Sequence, residues 1–175
     1  MKNESVVLGG GCFWCIEAVF NMLKGIIKTT PGYAGGVTKN PSYEEVCAGD
    51  TGHAEVLLVE YNKEILSMNK ILDVFFEMHD PTSINKQGAD LGSQYRSIIL
   101  YNSESQKVEI MQFIDKIREN FDKPIVTEIK KLDRFYPAEE YHKEYYKNNR
   151  LQPYCVFVIR PKMKKIDKEF KNLMK

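Results

Sequence analysis

The chain has 175 residues, 43% hydrophobic and 28% charged, with a formal net charge of +1. That length suits one domain with a substantial core, no apolar run approaches the roughly 20 residues of a membrane span, and balanced charge offers nothing to a polyanion such as nucleic acid. The four cysteines, behind a start that lacks the apolar stretch of a signal peptide, point to catalysis or redox chemistry in a cytoplasmic protein rather than to a disulfide framework.

Near the start an apolar run, Val6-Val7-Leu8, meets Gly9-Gly10-Gly11-Cys12, after which Ile16, Val19, Phe20 and Leu23 recur at helical spacing. This pattern predicts strand, tight turn and helix. A helix opening at Cys12 aims free N–H groups and the positive end of its dipole at the sulfur, a setting expected to lower the thiol pKa and make Cys12 a nucleophile. Phe13 and Trp14 follow directly and suggest a small apolar pocket beside it. The alternative is an ordinary turn with core aromatics and an inert, buried cysteine. Cys15, three residues on, weighs towards function. Zinc would need a second close pair of ligands, and neither Cys47 and Cys155 nor His53, His79 and His142 show ligand spacing, so neither metal nor another cofactor is expected.

The first helix is expected to stop at Gly25, with Ile26 to Tyr33 extended and Pro31 to Ser42 a long functional loop leading to Tyr43. Glu44 to Gly49 reads as a short helical turn. His53 to Tyr61 is the clearest strand, and its alternation places Glu55 on one face with Leu57 and Val59. Burial there would raise the carboxyl pKa and make Glu55 a proton donor; a strand-end carboxylate reaching water is the alternative. Ser67 or Met68 opens a helix burying Ile71, Leu72, Phe75, Phe76 and Met78, which ends at His79-Asp80-Pro81-Thr82. The polar loop to Ser93, carrying Asp90, is a second candidate site segment, and Tyr95 opens a strand running to Tyr101.

Ser103 or Glu104 then opens an amphipathic helix with Val108, Met111, Ile114 and Ile117 inward. Ile125 to Leu132 alternates as a half-buried strand, and Phe135 to His142 forms a turn into a short helix. Cys47 is expected to be packed. Tyr154 to Ile159 reads as a last apolar strand, with Cys155 inert inside it and Arg160-Pro161 as its stop. The basic tail, residues 162–175, is expected to lie as a helix on the domain surface. Together these elements predict an α+β fold: a mainly antiparallel mixed sheet with covering helices, a βαββαβ, ferredoxin-like core, long active-site loops and a C-terminal tail. Residues 1–161 would be one catalytic domain, in a chain that nothing requires to be more than a monomer.

Six blocks carry a family resemblance: Gly11-Cys12-Phe13-Trp14-Cys15-Ile16-Glu17, Gly32-Tyr33-Ala34-Gly35-Gly36, Tyr43-Glu44-Glu45-Val46-Cys47, Gly49-Asp50-Thr51-Gly52-His53-Ala54-Glu55, His79-Asp80-Pro81-Thr82, and Gln87-Gly88 through Asp90 to Ser97. In this order they resemble the A-type peptide methionine sulfoxide reductases, in the form with Cys-Phe-Trp-Cys. The resemblance implies reduction of the S epimer of methionine sulfoxide, free or in proteins, as repair of oxidative damage. It implies that Cys12 attacks the sulfoxide sulfur, that Glu55 protonates the oxygen with help from Tyr43 and Tyr95, and that Phe13 and Trp14 hold the S-methyl group. Asp90 would bind the polar part of the substrate, and thioredoxin would supply reducing equivalents. Attack by Cys12 leaves a sulfenic acid that a nearby thiol converts to a disulfide. No cysteine follows Cys155, so Cys15 is the first choice for that resolving thiol.

Two other classes fit parts of the pattern. A thioredoxin-like dithiol exchanger would use Cys12 and Cys15 but would not need Glu55, Tyr43 and Tyr95 beside them. A non-catalytic module binding peptides in the Phe13-Trp14 pocket would survive loss of Cys12.

Overall fold

The computed structural model describes residues 2–175. Its spine is a six-stranded sheet in which β1 (Asn3–Gly9), β2 (Ile26–Ala34) and β3 (Ala54–Asn62) are joined by β6 (Ile98–Tyr101), β7 (Glu128–Lys131) and β8 (Phe135–Pro137) in the order β7-β6-β1-β3-β2-β8. The four inner strands, β6-β1-β3-β2, are all antiparallel. Helix α1 (Phe13–Phe20) links β1 to β2, and α3 (Met68–Met78) lies between β3 and β6, so the βαββαβ core is present as expected. β7 pairs parallel to β6 and β8 antiparallel to β2, which makes the sheet mixed.

One sheet face carries the main core. Val6, Leu8, Leu57, Val59 and Tyr61 pack there against Ile16, Val19 and Phe20 of α1 and Ile71, Leu72 and Phe75 of α3. The other face buries Val7, Ala34, Ala54, Val56, Ile98 and Leu100. Glu55 belongs by alternation to the first face. Ser67 caps α3, and Ser42 caps the short α2 (Tyr43–Ala48) by accepting from the Glu45 N–H while Glu45 reaches back to the Ser42 N–H. The loop before Ser93 contains a two-stranded hairpin, β4 (Lys86–Gln87) with β5 (Asp90–Leu91), which presents Asp90.

Several sequence expectations need correction. Tyr154 to Ile159 is not a strand. Cys155–Ile159 forms a widened, π-type helical turn that runs directly into α6 (Arg160–Glu169), with Pro161 in its first turn. Cys155 and Ile159 are buried while Phe157 is 77% exposed, a spacing that fits one face of a helix; a short apolar run cannot by itself distinguish helix from strand. The helix therefore crosses the point where a separate tail was expected to begin. Ile166 and Met174 are buried, and the chain end is tied to the turn after α1 by Lys24 N–H to Leu173 O and Lys175 N–H to Met22 O. In α4 (Glu104–Ile117) the buried side is Gln106, Ile110 and Phe113, while Val108 and Met111 are exposed. Residues Ser93–Tyr95 form a 3-10 turn, with the strand starting at Ile98. After Pro137 come a single 3-10 turn, Glu140–His142, and the short α5 (Tyr145–Asn148).

The loop after β2 is fixed at Gly36, whose N–H donates to His53 Nδ1 (3.0 Å) while His53 Nε2 donates to Thr38 O (2.7 Å). A β-carbon at Gly36 would run into the backbone of Gly52 and His53, which cannot yield as a side-chain tip would. Gly36→Ala is expected to destabilise the fold by about 1–3 kcal/mol, read as a lower urea midpoint with an unchanged slope.

Candidate active site

Cys12 occupies the N-cap of α1, directly after Gly11, whose φ of +98° puts it in the region that favours glycine. The Gly11 N–H donates to Tyr95 O (3.2 Å), so the segment holding Tyr95 is fastened to the turn holding Cys12. Tyr43 stands at the first position of α2, and its N–H donates to Glu139 Oε2 (3.1 Å); Glu139 Oε1 accepts from the Tyr33 hydroxyl (3.0 Å). Glu55 sits on β3 opposite Tyr33 and is 1% exposed. It does not reach water as a strand-end carboxylate would.

Burial pushes the Glu55 carboxyl well above its ordinary range, helped by the charge of Asp90, and its Oε2 has no hydrogen-bond partner among the described residues. The group is therefore a neutral acid with an unused polar atom. Tyr43 and Tyr95 feel Glu55 as their first electrostatic neighbour, and Tyr95 also feels Cys12. Burial raises both phenols, keeping them protonated donors. The structure thus brings Cys12, Glu55, Tyr43 and Tyr95 together.

Cys12 departs from one expectation. Its thiol is pushed well up, by burial first and then by the Cys15 thiol, although the Trp14 N–H at the helix start acts in the opposite direction. A helix terminus cannot offset the loss of water around a sulfur this deeply placed. Cys15 moves the other way: its contact with Cys12 comes first, and Lys162 and the Tyr154 hydroxyl also favour its anion. Within the pair Cys12 holds its proton more firmly than Cys15.

Phe13 and Trp14 do different jobs. Phe13 is fully buried against Tyr33 and His142, with centroids 5.8 and 5.0 Å away. Trp14 is half-buried, stacks on Tyr145 at 3.7 Å with a 6° interplanar angle, and donates its Nε1–H to His142 Nδ1 (3.0 Å). Asp90 is not free in the site: its Oδ2 accepts from the Tyr154 hydroxyl (2.6 Å), which also lies 3.7 Å from Cys15 Sγ. Cys47 is exposed rather than packed, while Cys155 is fully buried as expected. Among the described residues no cluster of metal-ligating side chains occurs, and no helix is long and apolar enough to cross a membrane.

The family model for peptide methionine sulfoxide reductase matches residues 4–174. The chain belongs to that family. It is 48% identical over 172 residues to the peptide methionine sulfoxide reductase MsrA of Saccharolobus solfataricus, covering 98% of this chain and 97% of that protein. It resembles the crystal structure of reduced Mxr1 from Saccharomyces cerevisiae with a TM-score of 0.83 at 35% identity, covering 89% of this chain and 90% of the other. The structure of Mxr1 in complex with Trx2 matches with a TM-score of 0.59 at 27% identity, covering 82% and 85%.

Within this reductase fold, three residues escape sequence reasoning. His142 lies at the centre of an aromatic group with Phe13, Trp14, Tyr43 and Tyr141. Accepting from Trp14 at Nδ1 places its proton on Nε2, which has no partner among the described residues. Glu139 fixes both Tyr33 and Tyr43, and Tyr154 joins Asp90 to Cys15. Each stands far from Cys12 in sequence within a polar or aromatic stretch that carries no spacing signal.

Glu17 supports the same loop from below. Its Oε2 accepts from the Glu144 N–H (2.8 Å) and its Oε1 from the Thr29 hydroxyl (3.2 Å), while burial pushes its pKa up to about 7. Between the ordinary 4.5 and about 7 the folded chain holds a proton that the unfolded chain has released, so stability falls as pH rises through that window and levels above it. Glu17→Gln, whose amide can serve the same two partners, should remove this contribution, at most about 3 kcal/mol. Denaturant unfolding at about pH 5 and about pH 7.5 should differ less for the variant than for the wild type.

Proposed function

We propose that this enzyme reduces methionine S-sulfoxide, as the free amino acid and in proteins, by sulfenic acid chemistry at Cys12, with Cys15 as resolving thiol and thioredoxin as reductant. The observation that carries this reading is a buried, protonated carboxyl at Glu55, with an unused oxygen, placed with the Cys12 thiol and two phenolic donors. A sulfoxide oxygen leaves sulfur only when protonated, so an acid that remains neutral in the resting site is the group the reaction needs. A dithiol exchanger has no use for it.

In the reaction Cys12 attacks the substrate sulfur as Glu55 delivers its proton to the oxygen, and the Tyr43 and Tyr95 hydroxyls donate to that oxygen as negative charge grows on it. The bond between the two sulfurs and the substrate S–O bond then break as the oxygen passes to the Cys12 sulfur, so that methionine departs, Cys12 is left as sulfenic acid, and the proton displaced from the Cys12 thiol restores Glu55. Cys15 then forms the S–S bond as the S–O bond breaks and water leaves. Phe13 and Trp14 bound the space for the S-methyl group, with the indole edge fixed by His142, and Asp90 binds the polar end of the substrate. Placing methyl pocket and acid around one sulfur selects the epimer. The complex of yeast Mxr1 with Trx2 supports a thioredoxin as the reductant. The enzyme would work as a cytoplasmic monomer.

Cys12→Ser is expected to abolish reduction in an NADPH-coupled assay with thioredoxin and thioredoxin reductase, since a hydroxyl is a far weaker nucleophile. Glu55→Gln should slow single-turnover sulfenic acid formation by about two to four orders of magnitude with little change in substrate binding; an unaffected rate would move the acid elsewhere. Cys15→Ser should still produce one equivalent of methionine, accumulate sulfenic acid on Cys12 and lose most thioredoxin-dependent turnover. Cys155 is the other buried cysteine apart from Cys12 and Cys15, so peptide mapping of oxidised enzyme decides between Cys15 and Cys155: a Cys12–Cys155 bond would displace Cys15 from the role.

A further inference from the structure

The recycling thiol lies deep in the fold. Cys15 is 1% exposed, yet attack on a sulfenic acid requires its thiolate, and a buried anion without a counter-charge is costly. The titratable groups that act on Cys15 come from several elements: Cys12 on its own helix, Glu55 on β3, Asp90 on the β4–β5 hairpin, Tyr154 and Cys155 in the turns before α6, and Lys162 on α6. Five of these are acids, neutral or negative. Among these groups of the described residues Lys162 is the cation.

Its position follows from the correction made to the C-terminal region. Because Cys155–Ile159 is helical and continuous with α6, which packs on α1, Lys162 is carried to the back of α1 rather than out into a tail. There it lines, with Tyr154 and Asp90, a cavity of about 750 Å³ between α3, α6 and the hairpin. It is half-buried and makes no ion pair among the described residues. Its neighbour Lys165 is spent on Glu77 (2.9 Å). The Tyr154 hydroxyl, 3.7 Å from Cys15 Sγ, also favours the anion, but it shares its one proton with Asp90 at 2.6 Å and carries no positive charge of its own.

We propose that Lys162 is a positioning residue for recycling: from α6, which packs on α1, it supplies the positive charge that lets Cys15 act as a thiolate towards the Cys12 sulfenic acid. This role rests on Cys15 being the resolving thiol. The Cys15 thiolate gives its electron pair to Cys12 sulfur, the S–O bond breaks, and the oxygen leaves as hydroxide, which takes up a proton to become water. The same charge serves the reverse direction. When an external thiolate opens the disulfide at Cys12, Cys15 departs as a stabilised thiolate, and a leaving group of lower pKa departs faster.

The test uses the full-length enzyme in single turnover with methionine sulfoxide, following methionine release and disulfide formation separately against pH. Lys162→Met should leave the methionine burst unchanged, slow disulfide formation about tenfold near neutral pH, and move the rise of its pH profile up by about one pH unit. Lys162→Arg should restore both rate and profile, which a merely structural lysine would not require. Ultraviolet thiolate absorbance against pH reads the same charge without turnover: the transition assigned to Cys15 by its loss in Cys15→Ser should move up in Lys162→Met. An unchanged disulfide rate and pH profile in Lys162→Met overturns the role of Lys162 while leaving Cys15 in place. Peptide mapping that finds Cys12–Cys155 instead overturns the underlying assignment of Cys15, and the two failures are distinct.

Discussion

The site depends on how closely three glycines let one turn approach its neighbours. A β-carbon at Gly9 would lie 2.7 Å from an Ile98 methyl and 2.9 Å from Glu55 O; one at Gly10 would lie 2.9 Å from the His79 ring; one at Gly11 would lie 3.1 Å from Gln87 Cβ. The turn is pressed at once against β6, β3, the end of α3 and the hairpin. Only a chain without side chains there can bring the start of α1 down onto the sheet, and that approach sets Cys12 over the face that holds Glu55. His79 completes the clamp. Burial pushes its pKa down to about 4, so it is neutral, donating from Nδ1 to Phe75 O and accepting at Nε2 from Ser97 (2.7 Å), which in turn bonds Thr127 (2.8 Å).

Once the turn is clamped, exclusion of water decides the electrostatics. Glu55 and Cys12 are both driven towards their neutral forms, and the phenols of Tyr43 and Tyr95 stay protonated. A site made of neutral donors suits a substrate that is itself uncharged at sulfur and acquires charge only as the S–O bond gives way. In the proposed reaction the Cys12 sulfur is therefore activated as protons move around the group, and not beforehand as a free thiolate. The aromatic wall follows the same logic: Trp14 is held by one hydrogen bond to a neutral His142 and by stacking on Tyr145, which fixes its ring without placing a charge beside the methyl pocket.

Behind the nucleophile the environment changes sign. The helix that begins at Cys155 and continues through α6 returns the C-terminal part of the chain to α1, and with it Lys162. The two cysteines of the Cys-Phe-Trp-Cys run, three residues apart, thus meet different surroundings: burial and Glu55 act against the anion of Cys12, whereas Lys162 and Tyr154 favour that of Cys15. The separate tasks proposed for them follow from these surroundings rather than from the motif.

The sequence by itself determined the parts that rest on local chemistry. Three glycines before a cysteine, alternation along β3 that puts Glu55 with Leu57 and Val59, and the cap at Ser67 are all short-range signals, and the ordered blocks were specific enough to indicate the family. What it misjudged has a physical reason in each case. The apolar run Tyr154 to Ile159 suits strand and helix alike, and packing on α1 chose the helix; α4 turned its Ile110 and Phe113 inward because the neighbouring elements, not its own period, set the buried face. The Cys12 thiol lies above its ordinary range because a helix dipole is local whereas burial is produced by the whole fold. Only the tertiary structure could join Trp14 to His142, Asp90 to Tyr154 and Cys15 to Lys162, since each pair is separated by more than 60 residues and is brought together by strand order and helix packing.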